Sequence, residues 1–339
     1  NKESFYHLKF IPLLKIRASY GYNGNISRLA SAYTTATYRP AQTIPAIAAF
    51  IQNPPNEQLR WEKVTMTNIG LDFSFREDIV TATVDYYHKR SKDLMAPAPV
   101  DPTIGLLRNG QSSYYGNTAG MKNSGVDVQL NSRNVDRVFK WYSTLLYSFN
   151  ESEVTEYLIP ASKLGNVYIS ASQSITPLIG KPIYALFSYP FEGLDATTGD
   201  PLGYSENKPS KDYNAILTQT TLDSMVYHGP VQPRNFGAFR NTFQWKQFTA
   251  SINISYKAGY YLRLASVDYN SLFNSWSGHS DYALRWQQSG DELRTHVPSR
   301  MYPADYTRDA FYTYSSVLVE KADHIRWEDV QVSYELDKS

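Results

Sequence analysis

From Asn68 to Phe75 every second residue is apolar: Ile69, Leu71, Phe73 and Phe75 lie on one side, Asn68, Gly70, Asp72 and Ser74 on the other. A repeat of two is that of a strand with one oily and one wet face. Arg76, Glu77 and Asp78 separate this run from a second, in which Val80, Ala82, Val84 and Tyr86 alternate with Thr81, Thr83, Asp85 and Tyr87. Two such runs on so short a link predict an antiparallel hairpin.

The unit recurs. Val126, Val128 and Leu130 alternate with Asp127, Gln129 and Asn131; after a turn near 134–137, Phe139, Trp141, Leu145, Tyr147 and Phe149 share one face. Phe239, Phe243 and Trp245 lead through Lys246 and Gln247 into Phe248, Ala250, Ile252, Ile254 and Tyr256. A first strand (Leu14, Ile16, Ala18, Tyr20, Tyr22) and a last one (Val330, Val332, Tyr334, Leu336) bring the expected strands to eight. Three links are very short, and the four between them, 24–65, 91–120, 151–234 and 259–323, are long. Such strict alternation puts every tight turn at one end of the sheet and every long loop at the other, as in outer-membrane barrels with periplasmic turns and extracellular loops. About ten residues at ~3.3 Å each, tilted by ~45°, rise a little over 20 Å, close to the apolar band of such barrels.

The aromatic residues fall at two heights. Phe75, Trp141, Phe243, Trp245, Phe248 and Tyr334 lie near the tight turns, and Tyr20, Tyr22, Tyr86, Tyr147, Phe149 and Tyr256 near the loops, as two interfacial girdles would. The polar face carries Lys15, Arg17, Asp72, Asp85, Asp127, Lys140, Arg240 and Lys257. Charges of both signs fit a hydrated lumen. A soluble β-sandwich also alternates, with its apolar face turned inward, and period two alone does not separate the two architectures. Strand length and loop asymmetry favour the barrel.

Composition narrows the partners. The 339 residues hold 33 Lys+Arg against 32 Asp+Glu, a net charge of +1. That balance excludes nucleic acid as the expected partner, since phosphate binding needs an excess of cations on one surface. With no cysteine there is no disulfide framework and no thiolate metal site. No run approaches the roughly 18 consecutive apolar residues of a membrane-spanning helix, which leaves a barrel open. The 28 Tyr, 15 Phe and 6 Trp suit strands and broad contact surfaces. The chain starts at Asn1 without a leader and is expected to be a piece of a longer polypeptide.

Particular residues carry a resemblance. Asn53-Pro54, Leu59, Trp61-Glu62 and Asn68-Ile69-Gly70-Leu71-Asp72 are similar to the "NP-x-L-x-W-E … N-x-G-L-D" segment of the SusC/RagA-type TonB-dependent transporters of the Bacteroidetes outer membrane. Gly116-Asn117 through Gly120-Met121-Lys122-Asn123-Ser124-Gly125-Val126, Gly193-Leu194-Asp195 … Thr198-Gly199-Asp200-Pro201, Trp286 … Gly290-Asp291 … Val297-Pro298, and the strand from His324 to Tyr334 resemble further segments, in the family's order. The resemblance implies an all-β, antiparallel transmembrane β-barrel, present here in part: about eight to ten strands of a 22-stranded barrel, with residues 1–339 as its carboxyl-terminal portion and the plug, TonB box and closing strands outside the chain. It further implies residence in the bacterial outer membrane among its lipids, a SusD-like surface lipoprotein as partner, TonB-ExbB-ExbD acting through the plug, and an oligosaccharide or peptide as cargo. A siderophore or cobalamin receptor of the same fold, and a soluble carbohydrate-binding β-sandwich, stand as alternatives.

No catalytic constellation stands out, and neither an enzyme nor a cofactor is expected. His7, His88, His228, His279, His296 and His324 lack the i, i+4 or H-x-H spacing of metal sites. The run Asp195-Ala-Thr-Thr-Gly-Asp200 offers oxygen ligands to calcium but reads better as an Asx/Gly turn. Asp291-Glu292 would need a second carboxylate about 5–10 Å away to serve a glycosidase, and nothing in the sequence points to one. Function is sought in the loops, where flat rings beside Asn, Asp and Arg can stack on a sugar or peptide. Tyr114, Tyr115, Tyr189, Trp276, Trp286 and Tyr302 are the candidate substrate-binding residues, against the alternative that such rings pack the loops on one another. Long loops without a role are uncommon.

Overall fold

A computed structural model of the chain describes residues 10–26, 31–41, 45–99, 113–170, 172 and 175–336. Its frame is one antiparallel sheet of eight strands: β1 (Leu13–Asn25), β2 (Glu62–Phe75), β3 (Val80–Pro99), β4 (Ser113–Asp136), β5 (Phe139–Tyr157), β6 (Asn235–Trp245), β7 (Phe248–Ala258) and β8 (His324–Tyr334). They pair strictly in chain order, each with the next. All eight coincide with the alternating runs of the sequence.

Register shows why the alternation matters. Ile16, Leu71, Val84, Val128 and Tyr147 fall opposite one another across five strands, and Ala18, Ile69, Tyr86, Val126 and Phe149 form the neighbouring row. Because a slip of one residue would turn a whole strand over, these rows pin the pairing. Nothing among the described residues covers this oily face. Ile16 and Val332 are each 72% exposed, Trp327 66% and Ile69 50%, whereas in a sandwich such side chains would meet a second sheet. The face therefore belongs against hydrocarbon. In that medium an unpaired backbone group costs several kcal/mol, so β1 and β8, the two edges of the sheet, require further strands.

The opposite face is wet and charged. Arg17 on β1 donates to Asp72 of β2 at 2.9 Å and reaches over Gly70 to Asp85 of β3 at 3.1 Å. The reach depends on a missing side chain, because a Cβ at Gly70 would lie 2.7 Å from the Arg17 guanidinium carbon. Asp127 with Ser148, and Arg240 with Asp329, continue the polar network around the sheet.

The expectation of four long loops needs correction. The segment 91–120 is not a long loop for most of its length: β3 runs on to Pro99 and β4 begins at Ser113. Pro97 and Pro99, which lack an N–H, and the positive φ of 56° at Asp93 hide this strand from a period-two reading. The ladder accommodates them through shifts at Leu94 and Met95. Likewise β5 continues through Glu151, Glu153 and Glu156, whose charges read as loop. With 20, 24 and 19 residues, β3, β4 and β5 are about twice as long as a bilayer crossing needs. Their upper halves stand in water as a tall wall.

The sequence segments that carry the family resemblance brace the foot of this wall. Glu62 accepts from the Asn25 side chain at 2.8 Å and from the Met95 backbone at 2.9 Å, tying β2 to both neighbours. Asn117 clasps Arg60 through two backbone bonds of 2.8 Å and donates to the Asp93 carbonyl at 2.6 Å. Arg60 and Asp93 add an ion pair at 2.9 Å.

Because the chain has no cysteine, orientation is directly testable. An impermeant maleimide should label Trp276→Cys on intact cells but reach Lys246→Cys, in the β6–β7 turn, only after the outer membrane is opened. The reverse pattern would invert the sheet.

Candidate functional site

Above the wall, the segments after β5 and after β7 fold into one body with a core of its own. The first contributes paired strands Ala185–Ser188 and Val226–Pro230, the short strands Gly193–Leu194, Pro201–Ser205 and Lys208–Ser210, and helix α1 (Tyr213–Gln219). The second contributes helices α2 (Tyr269–Ser275) and α3 (Tyr306–Thr313), and pairs Tyr261–Arg263 with Val319–Lys321. Sequence reasoning took both for loops. The available signal was an Asp before each helix: Asp212, Asp268 and Asp305 accept from the backbone N–H of Ala215, Ser271 and Thr307 at 3.0, 2.6 and 2.8 Å, the N-capping that starts a helix.

The two segments interlock through aromatic packing. Phe311 of α3 is fully buried, with its ring centroid 5.7 Å from Tyr213 of α1 and 6.2 Å from Tyr189. Tyr189 also exchanges backbone bonds with Tyr314 and Ser316, at 3.0 and 2.8 Å. Beside this core Arg308, 1% exposed, donates to Asp200 at 2.9 Å and to the Ser299 carbonyl at 2.9 Å. A buried cation of this kind persists only when its hydrogen bonds are filled. On the wall side, Val154 of β5 bonds Lys181 and Gly180 through its backbone at 3.0 and 2.9 Å. The body is thus fixed to the strand that feeds it.

The candidate residues separate by exposure. Trp276 is 93% exposed and Tyr302 74%. Tyr302 packs edge-on to Phe273 at 5.2 Å, and Arg300 lies 5.8 Å from the same Phe273 ring. Tyr189 is 1% exposed and Trp286 9%, so both rings serve the packing of the body. Trp286 covers Gly199, where a Cβ would overlap the indole, and its Nε1 donates to Glu292 at 3.1 Å. Two segments far apart in sequence, 193–201 and 286–298, meet at this contact. Tyr114 is half-buried in β4, and the side chain of Tyr115 lies outside the described residues. Half-buried Phe273 and exposed Arg300, which sequence reasoning did not single out, adjoin Tyr302.

The carboxylates flagged for chemistry have structural roles. Asp195 accepts from Thr197 and Thr198 backbone N–H at 2.8 and 3.0 Å and from Lys211 at 3.1 Å. The Thr197 hydroxyl, its backbone N–H and the Lys211 ammonium together hold this carboxyl well below its usual range. The segment is an Asx turn closed by a lysine. Asp291 accepts from Gln287 and Gln288, and Glu292 from Gly290, organising the bend under Trp286. Among the described residues no group of three or more His, Asp or Glu is placed to hold a metal ion. His228 bonds Ser188 at 2.6 Å, and burial followed by the charge of Arg263 keeps its pKa low. Among the described residues the body carries, with others, a concavity of about 310 Å³ lined by Tyr204, Glu206, Asn207 and Gln219, and one of about 470 Å³ lined by Arg285, Arg294, His296 and Asp281.

Asp309 behaves in the opposite way to Asp195. Burial pushes its carboxyl up to about 6, although it accepts from the Asn270 backbone at 2.7 Å.

Comparison with known proteins follows this architecture. Residues 6–334 match the family described as "TonB dependent receptor-like, beta-barrel". A TonB-dependent receptor of Formosa agariphila is 26% identical over 351 residues, covering 95% of this chain and 33% of the relative. TonB-dependent receptor SusC of Bacteroides thetaiotaomicron is 24% identical over 295 residues, covering 82% of this chain and 26% of that protein. The chain thus spans a third or less of the length of these relatives. The solved structure described as that of the RagAB peptide transporter superposes with a TM-score of 0.72 at 20% identity, over 98% of this chain and 35% of that one.

Two outcomes follow for the loop body. Asp200→Ala strands the Arg308 charge and should cost about 3–5 kcal/mol of local stability, read as protease cleavage between residues 185 and 230 that the unaltered protein resists. Between about pH 4 and 6 folded Asp309 keeps a proton that the unfolded chain releases, so the stability of the body falls as pH rises through that window and levels off above it. Hydrogen-exchange protection factors across α2 and α3, corrected for the intrinsic pH dependence of exchange, should be lower at pH 7 than at pH 4.5, with Asp309→Asn flattening the dependence.

Proposed function

The chain belongs to the TonB-dependent receptor-like β-barrel family, and on that premise we propose that it forms the wall and the outer capture surface of an importer for an oligomeric nutrient in the bacterial outer membrane. One observation carries the reading. Two long segments that could have been loose loops are packed into a single folded body on top of a tall sheet, and that body turns bare rings, Trp276 and Tyr302, to the water. Rigid elements present contact groups with little ordering cost, which is what capture from dilute solution needs.

In this reading Trp276, Tyr302 and Tyr114 meet the cargo by stacking, Arg300 and the polar linings of the two concavities supply hydrogen bonds, and Tyr189 and Trp286 brace the body from inside. The cargo is a glycan or a peptide. The RagAB structure is titled a peptide transporter, which supports including peptides. The remaining parts of the importer are a surface lipoprotein of the SusD type, closing over the loops, and TonB, which draws energy from the inner membrane through a plug. Such an importer breaks no bond in its cargo, and the Arg17–Asp72–Asp85 bridge and its neighbours form the hydrated wall along which cargo passes.

The test is binding and uptake by the full-length protein with oligosaccharides, oligopeptides and a ferric chelate offered in parallel. Saturable uptake of one of the first two is expected. Trp276→Ala and Tyr302→Ala should each weaken binding roughly five- to thirtyfold, about 1–2 kcal/mol per ring, while the barrel still folds. Uptake of the chelate alone would overturn the reading.

A further inference from the structure

We propose that the outward face at the tops of β1, β2 and β3 is a docking site for the phosphorylated headgroup of an outer-leaflet glycolipid, held by Lys63, Arg90 and Lys92. The proposal rests on the membrane placement of this face and not on the identity of the cargo.

Register puts these cations on the lipid side. Lys63 lies directly opposite Lys92, and Arg90 opposite Thr65, in continuous phase with Ile69 opposite Tyr86 and Leu71 opposite Val84. Height puts them at the headgroups. From Phe75, beside the tight turn, to Lys63 is 75 − 63 = 12 residue steps along β2, which at ~3.3 Å per residue and a tilt of ~40–45° rise about 28–30 Å, just beyond an apolar band of about 25 Å. Tyr20 and Tyr22, joined by a 2.8 Å hydroxyl contact, stand alongside at interfacial level.

Among the described residues these cations also form no ion pair. Two neighbours at the same height are neutralised: Lys122 by Glu153 at 2.8 Å and Arg234 by Glu151 at 3.5 Å. No carboxylate among the described residues pairs with Lys63, Arg90 or Lys92, and all three are exposed. Like charges directly across a ladder are destabilising, so a Lys–Lys pair next to an Arg is a costly arrangement unless an anion lies between them. Lower on the outward face of the same strands there is no charged residue at all. The side chains also enclose a groove of about 460 Å³, walled by Tyr20, Tyr22 and His88 and floored by Thr65 and Thr67. A phosphate monoester fits this set: its oxygens accept from the Lys ammonium groups and, in paired fashion, from the guanidinium, while the acyl chains run down over Ile69 and Leu71.

The full-length protein, delipidated in detergent, is titrated by native mass spectrometry with bis-phosphorylated lipid A and with its dephosphorylated form. At least tenfold tighter binding of the phosphorylated lipid is expected. R90Q should reduce that preference and K63Q/R90Q/K92Q abolish it, whereas K15Q, on the lumen face, retains it; heat-modifiable migration confirms that each barrel is folded, and R90Q alone decides should the triple variant not fold. Equal affinity for the two lipids, an undiminished preference in R90Q, or loss of preference in K15Q overturns the proposal. Inorganic phosphate in excess should not displace the lipid, and displacement would mark a free-anion site instead.

Discussion

Among the described residues no second layer of protein covers the outward side chains of this sheet, and hydrocarbon takes that place. Hydrocarbon solvates Leu71, Phe73 and Val84 but offers nothing to a backbone N–H or C=O. Every backbone group at that depth must be paired between strands, which explains the unbroken meander from β1 to β8 and its tight turns at one end. The polar alternation on the other side is the complement of the same constraint: the lumen is wet, so Arg17, Asp72 and Asp85 can be charged there provided they bridge one another. Where water replaces hydrocarbon, pairing relaxes. The register shifts near Leu94 and Gly120 lie above the apolar band and the one near Arg133 beside the tight turn; a further one at Asn253 lies on β7, where the Asn253 side chain donates to the same Asp329 oxygen that accepts from Arg240.

Above the band the driving force changes. The loop body buries Phe311, Tyr213 and Tyr189 in one cluster and Tyr269, Val297 and Tyr312 in another, which is ordinary hydrophobic burial in water. Its polar seams, Arg308 with Asp200 and Asx turns at Asp195 and Asp305, do not add much stability by themselves, but they give the buried Arg308 charge its partner. The result is a surface stiff enough to hold Trp276 and Tyr302 outward. Cargo and lipid then address different parts of one frame: rings and clefts on the body, and a cationic groove on the flank of the same strands.

The eight strands, their order and the face that each presents were legible in the sequence, because a two-residue repeat survives any tertiary context that keeps one side oily. Less legible were the strand tops. Pro97, Pro99 and the glutamates of β5 break the repeat once both faces are wet, so ladder was read as loop. The helices left only their Asp caps as a trace, being too short to show a helical stripe. Among the candidate rings the alternation carried no information: Trp276 and Trp286 are ten residues apart in similar polar surroundings, yet one is bare and the other covers Gly199.

Local pattern, then, determined the sheet: residues two apart share a face, and that rule needs no knowledge of distant chain. It also determined the membrane reading, through the length of the runs and the spacing of the turns. Tertiary structure alone decided which residues meet across long separations. Arg308 finds Asp200 across 108 positions, Trp286 finds Gly199, and Lys63, Arg90 and Lys92 gather into one groove, because such contacts depend on how strands and segments are brought side by side, a relation between positions that no short stretch encodes.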